Sequence, residues 1–272
     1  MNHSNSYLSD FFSFPNGKTK ALTFSYDDGV KQDRQLVNLL NKYGLKATFH
    51  LNSGKLGQPN NVATSEVASL YRGHEVSVHT VHHPHLNELS PAEIRTEIAL
   101  DKQALERLVS YPVRGMSFPF GFYNETIVNY LPEIGIQYAR TVENTNTFAL
   151  PQQLPLWHPT CHHNQLYADQ ILDNFLSNRE QASLLYIWGH SFEFDGHPEW
   201  HWHQFEKFCQ DLTQQDDIWF ATNIEIVDYL TTLKNLRFSP DKKTVYNPSA
   251  ISVWLKQGDT RLKIKAGDVV QI

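Results

Sequence analysis

Seven short β-rich runs alternate with helical patterns between residues 20 and 233, and this alternation limits the possible folds more than any other feature. The runs are KALTFSY (20–26), KATFHLN (46–52), HEVSVHT (74–80), RGMSF (114–118), IQYART (136–141), SLLYIWG (183–189) and IWFAT (218–222). Strands separated by helices return by crossover, so they are expected to lie parallel in one α/β sheet. The clearest helix spans 91–109: Ser90 and Glu93 have capping-box spacing, Pro91 takes the first helical position, and Ile94, Ile98, Leu105 and Leu108 share an apolar face. After Leu236 the pattern turns to short alternating runs (VYNPSAISVWL, then TRLKIKAGDVVQI), as in a small antiparallel module. The expected division is a main domain over 1–236 and a β-rich appendage over 237–272, and 272 residues suffice for one sizeable core.

Charge and composition remove several classes of function. A net charge of −6 offers no basic stripe to neutralise a phosphate backbone, so no nucleic-acid partner is expected. No run approaches the ~18 apolar residues that span a bilayer, and the first residues, MNHSNSYLSDFFSFPNGK, lack a basic region followed by an apolar export segment. The expectation is no membrane insertion and a cytoplasmic location. Cys161 and Cys209 lie far apart without metal-type spacing, which favours two reduced thiols over a disulfide.

The chemistry sits where strands should end. Asp27 and Asp28 precede Gly29, and His79 and His83 close the HTVHH segment. Sites in parallel α/β folds assemble at the carboxyl ends of strands, and a carboxylate buried there needs a cation or a donor. Two imidazoles and one carboxylate leave a divalent metal with open positions, the composition of a catalytic site; a second carboxylate then remains free to take a proton. The bland alternative is a solvated aspartate turn and scattered members of a set of fourteen histidines. The same trio also suits Fe(II) of a non-haem oxygenase.

These residues resemble the motifs of the polysaccharide deacetylase (NodB homology) domain, carbohydrate esterase family 4. Its T-F-D-D-G motif is matched by Thr23 and Phe24 and, after two extra residues Ser25 and Tyr26, by Asp27, Asp28 and Gly29. Its H-[ST]-x-x-H motif is matched by His79, Thr80 and His83, with Leu86 at the usual spacing. The resemblance runs from about residue 20 to 233. It implies a distorted parallel (β/α) barrel that removes acetyl groups from acetylated carbohydrate, with Asp27 as base and one divalent metal on Asp28, His79 and His83. Zinc is the expected metal, with cobalt, nickel or manganese able to substitute. His82 competes with His83 as ligand, but the Thr80 and Leu86 spacings select His83 and leave His82 and His85 as supporting groups.

The chain departs from the family elsewhere. Pro119, Phe120 and Gly121 match a family turn, yet Ser117 stands where an arginine is usual, so Arg114 or Arg140 is expected to supply the cation beside Asp27. LLYIWGH resembles the motif that ends in the catalytic acid, which makes His190 the proton donor. The aspartate and tryptophan that orient this histidine have no clean equivalent. Glu193 is the expected carboxylate and Trp157 the expected aromatic wall. Trp200 and Trp202 are read as core packing on a helix, with a sugar-stacking rim as the alternative. The implied reaction is hydrolysis of an N-acetyl amide; an O-acetyl esterase uses the same groups, and an inactive carbohydrate-binding relative is disfavoured by the retained aspartates and histidines.

Overall fold

The computed structural model describes residues 11–166, 170–178, 182–196, 202–257 and 260–272. The central strands are β2 (Lys20–Asp27), β3 (Ala47–Leu51), β4 (Glu75–Val78), β5 (Gly115–Ser117), β6 (Tyr138–Arg140), β7 (Cys161–His162), β8 (Ser183–Gly189) and β9 (Ile218–Phe220), preceded by β1 (Phe12–Ser13). They form one sheet in the order β6-β5-β4-β3-β2-β8-β7, with β9 also on β2, and all these pairings are parallel. Strand β2 is shared along its length: β9 pairs with Lys20–Leu22 and β3 with Phe24–Asp27.

The outer edges are linked by one stretch of chain that the sequence pattern did not show. Trp157 exchanges backbone hydrogen bonds with Ala139 and Thr141 beside β6, and four and five residues later Cys161 and His162 pair with β8. Closure with such short strands gives the distorted (β/α) barrel expected from the sequence.

Each strand alternates. Leu22, Phe24, Phe49, Val76, Val78, Leu185 and Ile187 face outward into the main apolar core under the helices. The intervening residues, Thr23, Ser25, Asp27, Thr48, His50, Glu75, Ser77, Tyr138, Arg140 and Tyr186, are buried inside the barrel and hydrogen-bond across it. Strand β2 is unbroken from Lys20 to Asp27, so Ser25 and Tyr26 are ordinary strand positions and not an insertion. The helix Asn223–Lys234 caps the bottom: Asn223 bonds Thr23 and Tyr186, and buried Glu75 accepts the Ile224 N–H at 2.8 Å. A carboxylate suits that helix terminus, although burial still pushes Glu75 up to about 7. The helix Pro91–Val109 carries the full capping box.

The remaining strands are β10 (Arg237–Phe238), β11 (Thr244–Tyr246), β12 (Val253–Gln257), β13 (Thr260–Ile264) and β14 (Val269–Gln271). They make two antiparallel sheets, one of which takes β1 as an edge strand. Val245, Val253, Leu255 and Ile264 pack in one cluster with Phe12, Phe14, Trp157, Tyr229 and Leu233. The C-terminal segment therefore shares a core with the barrel bottom. Among the described residues no helix is long and apolar enough to cross a membrane. Cys161 and Cys209 are buried and not disulfide-bonded.

Candidate active site

The site lies at the carboxyl ends of β2, β4, β5, β6 and β8. Asp27 is the last residue of β2 and, by strand parity, points inward; it is 3% exposed. One oxygen accepts from Arg140 Nη2 in a short ion pair, and the other accepts from Ser117 Oγ at 3.1 Å. Burial alone would raise this carboxyl, but Arg140, with His79 and His50, more than offsets it and holds Asp27 well below the usual carboxylate range.

Asp28 leaves the strand at φ +79, and Thr80 and His83 also adopt left-handed backbone, at φ +68 and +59. Such residues persist only where their surroundings over-determine them, and they concentrate at functional sites. Here the turns bring three donors together: Asp28 Oδ1 lies 3.8 Å from His79 Nε2 and 3.7 Å from His83 Nε2, and all three atoms fall within 4.8 Å of one another. These separations exceed a hydrogen bond. His79 Nε2 and Asp28 Oδ1 are buried with no hydrogen-bond partner, as expected of atoms shaped to face a cation. The other ring nitrogen of His79 meets Ser117 O at 3.0 Å and Ser117 Oγ at 2.7 Å, which fixes Nε2 as the outward lone pair. Burial lowers the pKa of His79 and takes His83 to about 4, so both imidazoles are neutral at pH 7 and able to ligate. A divalent ion fits this donor set.

Asp101, on the helix Pro91–Val109, accepts the backbone N–H of His79 at 3.0 Å and of Ser53 at 2.7 Å. It is a positioning residue that the sequence reading missed; a buried Asp on an otherwise apolar helix face was the available signal. His82 turns away to Glu97, with Nδ1 at 2.7 Å from its carboxylate. His85 stacks on Phe120 with ring centres 4.0 Å apart. Phe120 is itself strained at φ +56 and half exposed at the rim.

Two expectations are corrected. Arg114 does not reach Asp27. It precedes β5 at the bottom of the barrel and forms a bidentate pair with Asp228 at 2.7 Å, because three residues of strand separate it from the upper end at Ser117. Arg140 takes the place beside Asp27, and its position in the register is informative: Ser117 and Arg140 are paired residues of β5 and β6. The small serine leaves room for the guanidinium to enter from the next strand. Trp157 is likewise not beside His190; it packs inside the barrel on Tyr138 and Tyr186. The Phe192 ring lies 5.2 Å from that of His190, and the tryptophan near it is Trp188, 6.0 Å away between ring centres and 4.6 Å from the Arg140 guanidinium. Strand alternation, two residues before His190, was the signal for it.

His190 follows β8. Its Nδ1 lies 3.4 Å from Glu193 Oε1, and the His190 backbone N–H donates to Glu193 Oε2 at 3.0 Å. Burial would lower the pKa of His190, but Glu193 and the charges of Asp27 and Asp28 raise it overall. Glu193 also meets His162 Nε2 at 3.2 Å and His163 Nε2 at 3.0 Å. Burial opposes its charge, yet the three imidazoles hold it well below the usual carboxylate range. Trp202 packs on Phe194 at 4.7 Å and donates to Asp195; Trp200 lies outside the described residues.

A curled parallel barrel with an inward carboxylate pair and two histidines at its strand ends defines a deacetylase-type α/β domain. Residues 15–139, a little under half of the chain, match the family model described as polysaccharide deacetylase, and the chain is similar to members of that family. It is 27% identical over 126 residues to YxkH of Bacillus subtilis, covering 46% of this chain and 45% of that one. It is 28% identical over 123 residues to a peptidoglycan-N-acetylglucosamine deacetylase of Bacillus cereus, covering 45% and 44%. The chain thus spans under half the length of these two relatives. A crystal structure assigned to the polysaccharide deacetylases, from Mycobacterium smegmatis, superposes over 82% of this chain and 94% of its own with a TM-score of 0.65 at 18% identity, which shows the shared fold.

Proposed function

We propose that this chain is a metal-dependent hydrolase that removes N-acetyl groups from amino-sugar polymers or oligosaccharides. The observation that carries the reading is the Asp28–His79–His83 donor set, with its orphaned buried atoms, directly beside a carboxylate held ionised by Arg140. Asp28, His79 and His83 would hold the ion, and zinc suits two imidazoles and a carboxylate, with cobalt, nickel or manganese as substitutes. When bound, such an ion polarises the acyl oxygen and acidifies water.

The chain's own groups supply the rest. Asp27 accepts the proton of the attacking water, oriented by Ser117 and Arg140. His190, whose pKa Glu193 raises, gives a proton to the departing nitrogen. Amide departure needs that proton more than ester departure does, and the Bacillus cereus relative is named for N-acetylglucosamine; both support the amide over an O-acetyl ester. Chelation should abolish acetate release from N-acetylated oligosaccharides, and added zinc should restore it. Full turnover after exhaustive metal removal would overturn the reading.

The Glu193 assignment carries its own expectation. Because Glu193 raises the pKa of His190, Glu193→Gln should lower it. The protonated acid is then lost at lower pH, so the alkaline limb of kcat/KM moves down. Amide substrates should slow more than activated esters, whose leaving groups need little protonation. An unmoved limb with equal effects on both substrates would reject the role.

A further inference from the structure

We propose that His162, His190 and Glu193 form a second divalent-cation site, distinct from Asp28–His79–His83, and that a cation there withdraws His190 from proton transfer. The site is stated for metal binding on geometry alone; its kinetic consequence rests on the hydrolase reading above.

The donors are His162 Nε2, His190 Nδ1 and the Glu193 carboxylate, all within 4.8 Å of one another. The His162 nitrogen is 3.2 Å from Oε2 and the His190 nitrogen 3.4 Å from Oε1. Zinc with bonds of ~2.0–2.1 Å in tetrahedral array sets neighbouring donor atoms about 3.3 Å apart. Each imidazole nitrogen therefore already stands at about that spacing from a carboxylate oxygen of Glu193.

The scaffold fixes this arrangement independently of any ion. His162 is paired with Trp188 in the register of β7 and β8, and its ring meets the Trp188 ring edge-on at 4.6 Å. His163 packs so closely over Gly189 that a Cβ there would sit 2.5 Å from its Nδ1. The turn carrying His190 is tied down by Ser191, whose hydroxyl donates to buried Asp33 at 2.5 Å. The side chains of His162, His190 and Glu193 are 12%, 23% and 26% exposed, so the cluster borders solvent.

Without a cation, the imidazoles stand against the carboxylate as charge partners, and His190 Nδ1 is buried with no hydrogen-bond partner. With one, His162 must carry its proton on Nδ1, giving up only the long contact from the Asn164 N–H at 3.3 Å. His190, ligated through Nδ1, keeps a proton on Nε2 but as a neutral ring, a far weaker acid than imidazolium. Excess metal should then inhibit while the first site stays filled.

Zinc stoichiometry in equilibrium dialysis with elemental analysis tests the site. The full chain should bind one zinc at limiting metal and two in excess. His79→Ala should lose the tight zinc and keep the weak one; His162→Ala should keep the tight one, which also shows that it folds, and lose the weak one. In a free-zinc titration of acetate release, the parent should rise and then fall, and His162→Ala should fall only at zinc at least ~10-fold higher. A single zinc at all concentrations, or a weak zinc undiminished in His162→Ala, would overturn the site. A fall unchanged in His162→Ala would overturn the inhibitory role. Absence of any acetate release would instead sink the hydrolase reading, leaving the stoichiometry to decide the site.

Discussion

Asp27→Asn is expected to retain one tightly bound metal per chain and to lose about 10²–10⁴-fold in turnover, the usual worth of a positioned proton acceptor. Asp28→Asn should lose the metal as well. The distinction follows from geometry: Asp28 Oδ1 faces His79 and His83 without a hydrogen bond, while both oxygens of Asp27 are engaged by Arg140 and Ser117. Elemental analysis of the two variants beside acetate release separates the roles. If Asp27→Asn is as metal-poor as Asp28→Asn, the assignment of base and ligand fails.

Arg140→Met should destabilise the metal-free protein by ~3–5 kcal/mol, because removing one partner of a buried pair strands the other charge. Arg140 is 0% exposed and Asp27 3%. The corresponding loss in Tm is about 10 °C for a chain of this size. Asp27→Asn strands the guanidinium instead and should also melt earlier. The double variant, Asp27→Asn with Arg140→Met, removes both charges; it should regain most of the stability and none of the turnover. Thermal melts of the four proteins form a double-mutant cycle. A coupling below ~1 kcal/mol would show that the pair does not govern stability. The same expectation separates Arg140 from Arg114, whose pair with Asp228 is partly exposed and should cost about 1 kcal/mol or less when broken.

Much of the architecture was legible because period-two alternation survives in every strand that builds the barrel wall. All seven expected runs contain strands, and the helix from Pro91 to Val109 ends where its caps place it. What escaped were elements with no period to read. The closing stretch from Trp157 to His162 is extended and contains Pro159, and its two-residue strand is defined by its neighbours. The antiparallel C-terminal strands were visible, but their shared core with Phe12 and Phe14 was not, since the pairing of β1 with β12 joins residues at opposite ends of the chain.

The sequence by itself determined the strand-and-helix alternation and the placing of Asp27, Asp28, His79 and His83 at strand ends, because these follow from local periodicity and motif spacing. It also singled out His190 and, three residues on, Glu193. Only the tertiary structure decided between Arg114 and Arg140, turned His82 aside from His83, replaced Trp157 by Trp188 near His190, and gathered His162 and His163 around Glu193. Each of those outcomes depends on which strand end a residue occupies and which strand lies beside it. Register between strands distant in sequence is fixed by sheet closure and side-chain packing, neither of which leaves a local pattern in the chain.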